Sequence, residues 1–200
     1  MPHRLALLFA ALLLAAAPAR AAEPQAVVEG FHNVLSEVMQ NAEKLGITGR
    51  YERLRPAVEQ AFDLPRMIRI ASGSAWKSAS ESARDALIDA FARMSAGTYA
   101  SQFKGYSGER FEIDEERPGP RESRLVATRI VKGNGDSVPI TYVLVRGETP
   151  GNWRIADVLL NNAISELSVR RSEYRAIIER GGVDGLVDTL NDKVNQLLKP

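Results

Sequence analysis

The period of the apolar residues changes twice along this chain, and that change limits the fold more than any other feature. From Ala26 to Phe103 they recur every three or four positions, from Gly108 to Leu160 every second position, and from Ile164 the longer spacing returns. An amphipathic helix and a half-buried strand each need an apolar partner surface. Helices, then strands, then helices therefore predict an α+β fold, with N- and C-terminal helices packed against a curved antiparallel sheet.

The first helix is expected over Ala26–Leu45, where Val27, Phe31, Val34, Leu35, Val38, Met39 and Ala42 share a face and Gly46 is a stop signal. A second spans about Tyr51–Phe62, with Pro56 starting a fresh turn because proline suits a first helical position and not an interior one. Asp63 is placed to cap a short helix over Pro65–Ser72 that Gly73 closes. The strongest helical pattern is Ser80–Phe103, with Ser80 as its cap and Leu87, Ala90, Phe91, Met94, Thr98 and Tyr99 on one side. Four strands follow near Arg110–Asp114, Ser123–Lys132, Val138–Arg146 and Asn152–Leu160. Their turns, Gly133-Asn134-Gly135-Asp136 and Gly147 to Gly151, predict a four-stranded meander. The third strand carries Val138, Ile140, Tyr142 and Leu144 on one face and Thr141, Val143 and Val145 on the other, so neither face reads as fully wet. Two last helices, about Ile164–Arg180 and Val183–Leu198, turn Leu167, Tyr174, Ile177, Ile178, Leu186, Val187, Leu190, Val194 and Leu197 inward. The expected organisation is one domain over 22–200: a helical part (22–104), a sheet (105–161) and C-terminal helices (163–198).

Residues 1–21 read as a cleaved secretory signal. They join a basic start, an apolar run from Leu5 to Ala17 and the small-residue pattern Ala19-Arg20-Ala21. The run is shorter than the roughly 20 residues that span a bilayer, so an exported, freely soluble periplasmic protein is expected. No cysteine is present, which excludes a lipidated N-terminus and any disulfide. Arg4 and Arg20 are the only charged residues of the signal, so its removal takes the formal charge from +1 to −1. A near-neutral surface gives no electrostatic footprint for a nucleic-acid backbone.

Chemistry is scarce in the mature chain. His32 is its one histidine, and with no cysteine no zinc site is spaced along it. Next to Phe31 on an amphipathic helix, it reads as a partly buried structural residue or a surface one. Asp114-Glu115-Glu116 could supply paired carboxylates, but neighbouring strand positions face opposite ways, and Arg117-Pro118-Gly119-Pro120 follows them, so a solvated loop is favoured. The glycine-rich pieces lack the lysine and hydroxyl ending of a phosphate loop. Asp157 stands among Ile155, Ala156, Val158 and Leu159, where a carboxylate needs a partner; Arg170 and Arg171 are the candidates. No catalytic residue, cofactor or metal ligand is assigned, and an enzyme is not expected.

One colinear set of residues covers most of the mature chain. It includes Leu54–Leu64, Ala71–Tyr99 with Trp76, Phe91 and Tyr99, and Gly105-Tyr106-Ser107-Gly108. The run beginning Gly151-Asn152-Trp153-Arg154-Ile155-Ala156-Asp157-Val158 then leads through Ser165, Tyr174, Gly181 and Gly182 to Leu186 and Leu190. In that order the chain resembles the MlaC (toluene-tolerance) family of periplasmic phospholipid-binding proteins, and Gly49-Arg50-Tyr51 and Gly105–Phe111 are most similar to its hopanoid-associated HpnM branch. The resemblance implies a cystatin-like or NTF2-like sheet with helices, and lipid tails held between the two. It implies phospholipid or hopanoid as ligand. It also implies an inner-membrane MCE/ABC transporter and an outer-membrane lipoprotein complex as partners between which lipid is shuttled, in the service of outer-membrane lipid asymmetry. Family members keep an Asp where Asp157 stands, which implies that it organises the strand-to-helix corner. The chain departs from the family at Asn161-Asn162-Ala163, where a Gly usually precedes the Ser; Asn tolerates left-handed backbone, so the turn should survive.

A two-tailed lipid exposes dozens of methylenes, each disfavoured in water by about 0.8 kcal/mol, so a carrier must offer a dry cavity. Guided by the resemblance, the expected lipid-binding residues are Ile140, Tyr142, Leu144, Ile155 and Val158 of the sheet, facing Phe91, Met94, Tyr99, Leu167 and Tyr174 of the helices. Trp76 and Trp153 are core anchors or cavity lining. Arg170, Arg171 and Arg175 are either head-group residues at the cavity mouth or solvated surface. Two other classes stand beside the carrier: a periplasmic adaptor that fills its core with its own side chains, and an enzyme on an NTF2-like scaffold.

Overall fold

A computed structural model of the chain describes residues 23–148 and 152–199, so the expected signal peptide lies outside the described residues. In chain order the elements are α1 (Pro24–Gln40), α2 (Ala42–Ala61), α3 (Leu64–Ser72), α4 (Ala75–Ser78), α5 (Glu81–Gln102), β1 (Arg110–Pro118), β2 (Arg124–Val131), β3 (Ser137–Arg146), β4 (Trp153–Leu160), β5 (Ile164–Ser165) and α6 (Glu166–Leu197). The fold is α+β, as the change of period predicts.

Local polar chemistry sets the helix starts. The side chains of Asp63, Ser80 and Ser165 accept hydrogen bonds from the backbone N–H groups of Arg66, Ala83 and Ser168, capping α3, α5 and α6. Gly73, with φ of 63°, ends α3 in the left-handed region. Gly182, with φ of 67°, divides α6 into the two helical stretches expected there. The first helix is shorter than its pattern: it ends at Gln40, where Asn41 leaves helical geometry and its side-chain amide donates to the Glu37 carbonyl at 2.8 Å. Pro56 does not start a new turn. It lies inside α2 on the exposed side, where solvent reaches the carbonyl that its missing N–H leaves free.

The sheet has five strands rather than four, in the order β1-β2-β3-β4-β5, and every pairing is antiparallel. The added strand is the two-residue β5, formed as the chain turns back along β4 through Asn161 (φ 50°) and Asn162 (φ 57°). The left-handed turn therefore survives without glycine, and Thr141 donates from its hydroxyl to Asn162 Oδ1 at 2.8 Å. β1 runs on to Pro118, so Asp114, Glu115 and Glu116 belong to a strand and not to a loop. A bulge between Ile113 and Glu115 resets their alternation.

One apolar cluster draws on α1, α2, α3, α5, α6 and the helix-facing side of the sheet, with Phe91, Leu35, Leu54, Ile68, Leu87, Leu144, Ile155 and Leu186 fully enclosed. The opposite face of the sheet is partly covered: Thr141 is buried, and Val143 and Val145 are half-buried.

Candidate functional site

The helix-facing side of β3 and β4 meets α5 and the first half of α6, with α1 closing a third side. This interior holds all ten residues of the expected lipid-binding set. Phe91, Met94, Ile140, Tyr142, Leu144, Ile155, Val158, Leu167 and Tyr174 are buried in the central cluster, and Tyr99 packs against it. Ile155 and Val158 are three residues apart, a spacing that in a regular strand would send them to opposite faces. The register shift between Val143 and Leu144 of β3 leaves Ala156 of β4 unpaired, so both side chains enter the same core.

The sequence pattern underweighted the aromatic residues that α1 brings to this interior. Phe31 packs edge-on against Phe62 and Tyr99, each with ring centroids at 5.1 Å, and Tyr99 stacks on Phe103. His32 is a core residue. Its ring stacks on Phe111 at 4.4 Å, and Nε2 is hydrogen-bonded to the Tyr142 hydroxyl at 3.0 Å. Burial lowers the His32 pKa to about 4, which keeps the ring neutral near pH 7, and the same burial raises that of Tyr142. Spacing on α1 placed Phe31 on the inner face; nothing local in the sequence pointed to Tyr142 as the partner of His32.

A cavity of about 230 Å³ adjoins the interior, lined chiefly by Val27, Gly30, Phe31, Val34, Ala57 and Trp153. Phe31 borders both spaces, lining the cavity on one side and packing on Phe62 and Tyr99 on the other. Trp153 is thus both cavity wall and core, and Arg146 lies over its ring at 4.7 Å. Trp76 borders a separate polar groove with Arg66, Arg69 and Arg154. None of the ten expected residues lines the 230 Å³ cavity. That volume is below the roughly 300–1,000 Å³ typical of a small-molecule pocket, so a two-tailed lipid would enter only if the layers part.

The polar candidates resolve differently from their expected pairings. Among the described residues Asp157 has no arginine partner. Its carboxylate accepts from the Ser165 hydroxyl at 2.6 Å, the Leu167 N–H at 3.0 Å and the Val158 N–H at 2.8 Å, tying β4 to the start of α6. It organises the corner by accepting from the Leu167 N–H in the first turn of α6, one of the helix donors that has no partner within the helix. Glu112 and Asp114 pair with Arg129, Glu116 with Arg124 and Glu115 with Arg117, so the acidic run is spent on surface ion pairs. Arg171 and Arg175 are exposed, whereas Arg170 turns inward beneath α5. Among the described residues no group of three or more His, Cys, Asp or Glu is placed to hold a metal, and no helix is long and apolar enough to cross a membrane.

The fold is similar to that of a phospholipid-binding protein from Ralstonia solanacearum, solved in complex with a phospholipid. The match has a TM-score of 0.75 and 21% sequence identity, and it covers 89% of this chain and 100% of that one. The family model described as MlaC protein matches residues 29–192, from α1 almost to the end of α6, and on that match the chain belongs to the MlaC family.

Proposed function

We propose that this protein binds phospholipid and carries it through the periplasm, with the acyl tails between the sheet and helices α1, α5 and α6. The observation that supports this reading most is the joining of family membership to an apolar interior in the fold that holds a phospholipid in the Ralstonia protein. The ten residues from Phe91 to Tyr174 named above are the proposed tail contacts, Tyr174 through its ring. Phe31 is the proposed point of opening, because it lines the adjoining cavity on one side and packs on Phe62 and Tyr99 of the interior on the other.

On this reading residues 1–21 are removed on export, and 22–200 act as one domain. The protein collects its cargo from an inner-membrane MCE/ABC transporter or an outer-membrane lipoprotein complex and delivers it to the other. It does not act as an enzyme. A hopanoid cargo, as in the HpnM branch, is the neighbouring version. A rigid polycyclic lipid would require a wider opening than flexible chains.

Native mass spectrometry of protein purified from the periplasm tests the reading: one bound lipid per chain is expected. Reproducibly empty protein that takes up no labelled lipid from vesicles would favour an adaptor whose interior is filled by its own side chains. Met94→Trp and Tyr142→Trp add bulk to the proposed tail space and should lower lipid loading. Unchanged loading in both would remove those residues from the site.

A further inference from the structure

Two polar groups of α6 enter the apolar interior without the aligned partners that this chain supplies to buried Arg50 and Tyr142. Arg170 has a side chain only 17% exposed. Its guanidinium carbon lies 5.6 Å from the Phe91 ring centroid, and Nη1 donates to Met94 Sδ, a weak acceptor, at 3.4 Å. The nearest carboxylate oxygen, Glu166 Oε2, is 3.7 Å from Nη2, beyond ordinary hydrogen-bond length. One turn further along, Tyr174 is 4% exposed, and its hydroxyl has no aligned hydrogen-bond partner among the described residues. The guanidinium lies beside this phenol, within side-chain hydrogen-bonding reach of it though not aligned for a bond, and near the neutral phenol of Tyr99. By contrast, buried Arg50 donates to the carbonyls of Ala42 and Ala100 at 3.0 and 2.9 Å, and Tyr142 has His32.

A guanidinium carries five N–H donors and no acceptor, and a phenol beside it can add another donor. Acyl chains offer such a cluster nothing, and a neutral hydroxyl offers one uncharged oxygen. The complement is an anionic group with several acceptor oxygens, which an arginine fork recognises well. Glu166, with its side chain 31% exposed, opens this corner toward water and offsets the arginine charge. A phosphodiester, which stays singly charged, therefore suits the corner better than free phosphate, which is partly doubly charged at neutral pH.

We propose that Arg170 and Tyr174 form a subsite for the phosphodiester of the carried lipid, seated where the apolar interior reaches the surface at the start of α6. This rests on the carrier reading above and adds head-group selectivity to it.

The test compares two ligands with the same labelled tails, phosphatidylglycerol and diacylglycerol, titrated by fluorescence into the purified protein, with inorganic phosphate as a third arm. The unmodified protein should prefer phosphatidylglycerol by about tenfold or more, and Arg170→Gln and Tyr174→Phe should each bring that ratio toward one. Inorganic phosphate should bind weakly and be displaced by phosphatidylglycerol. Thermal unfolding checks that both variants fold; if Arg170→Gln does not, the ratio for Tyr174→Phe decides. Equal affinity for the two lipids in the unmodified protein, or a ratio unchanged by the folded variants, overturns the subsite and leaves the carrier reading intact. Phosphate binding that phosphatidylglycerol cannot displace marks a free-anion site and overturns the lipid assignment. Failure of both lipids to bind defeats the carrier reading together with the subsite.

Discussion

Tyr142 and Tyr174 stand on opposite walls of one interior, 2% and 4% exposed, and differ in what their hydroxyls meet. The β3 phenol is hydrogen-bonded to His32 of α1 and forms a buried polar link between sheet and helix. The α6 phenol has no aligned partner, and Arg170 beside it meets the Phe91 ring, a thioether and a distant carboxylate. Burying a polar group without a hydrogen bond is unfavourable by an amount similar to a lost hydrogen bond. The sheet-side pair therefore stabilises the contact between layers, and the helix-side pair, on the proposal above, trades stability for recognition. A physical difference between two hydroxyls thus separates a polar link within the fold from a polar group left without an aligned partner.

The strongest way to break this contrast is acid. Burial holds the His32 pKa at about 4, below its ordinary 6.5, so the unfolded chain takes up a proton that the folded chain refuses. This contribution to stability is complete above pH 6.5 and is lost as pH falls from 6.5 toward 4. It is on the order of 3 kcal/mol. Denaturant titrations at pH 7, 5.5 and 4 should show the loss, and His32→Gln should remove that part of the slope. A slope as steep in the variant as in the parent would mean that His32 is not the group responsible.

Cutting the anchor of α6 comes next. Asp157→Ala takes away the acceptor for Ser165 and two backbone N–H groups and loosens the helix that carries Arg170 and Tyr174. It should destabilise by about 2 kcal/mol, a fall in Tm of roughly 4–8 °C by scanning calorimetry. Tyr142→Phe should cost about 1–2 kcal/mol, because it strands the buried His32 nitrogen. Tyr174→Phe should be the smallest, within about 0.5 kcal/mol of the parent or more stable, since it deletes a buried hydroxyl that makes no aligned hydrogen bond. Equal losses for the two Tyr→Phe changes would erase the distinction between the walls.

Much of the scaffold was legible along the chain. Asp63 and Ser80 capped the helices that their positions announced, Gly73 closed α3, and the Asn pair made its left-handed turn. The ten interior residues could be named because period and family order both pointed inward. Other features were not legible. Pro56 inside a helix, the extension of β1 through Glu116 and the two-residue β5 each depend on what lies beside them in space, and local propensity is a weak guide there. Asp157 was recognised as a carboxylate in need of a partner and given the wrong one, because a residue type says that a charge must be satisfied and not which group will reach it.

The chain alone determined the succession of helix, strand and helix, the caps, the turns and the apolar face of each element, since these arise from interactions within a few residues. Only the tertiary structure decided that the β4 bulge sends Ile155 and Val158 to the same side, that Tyr142 meets His32 across 110 positions, and that Arg170 points into the interior while Arg171 and Arg175 face water. The reason is that burial and hydrogen bonding are satisfied by whichever group the packed layers bring within about 3 Å, and that proximity is a property of the assembled fold.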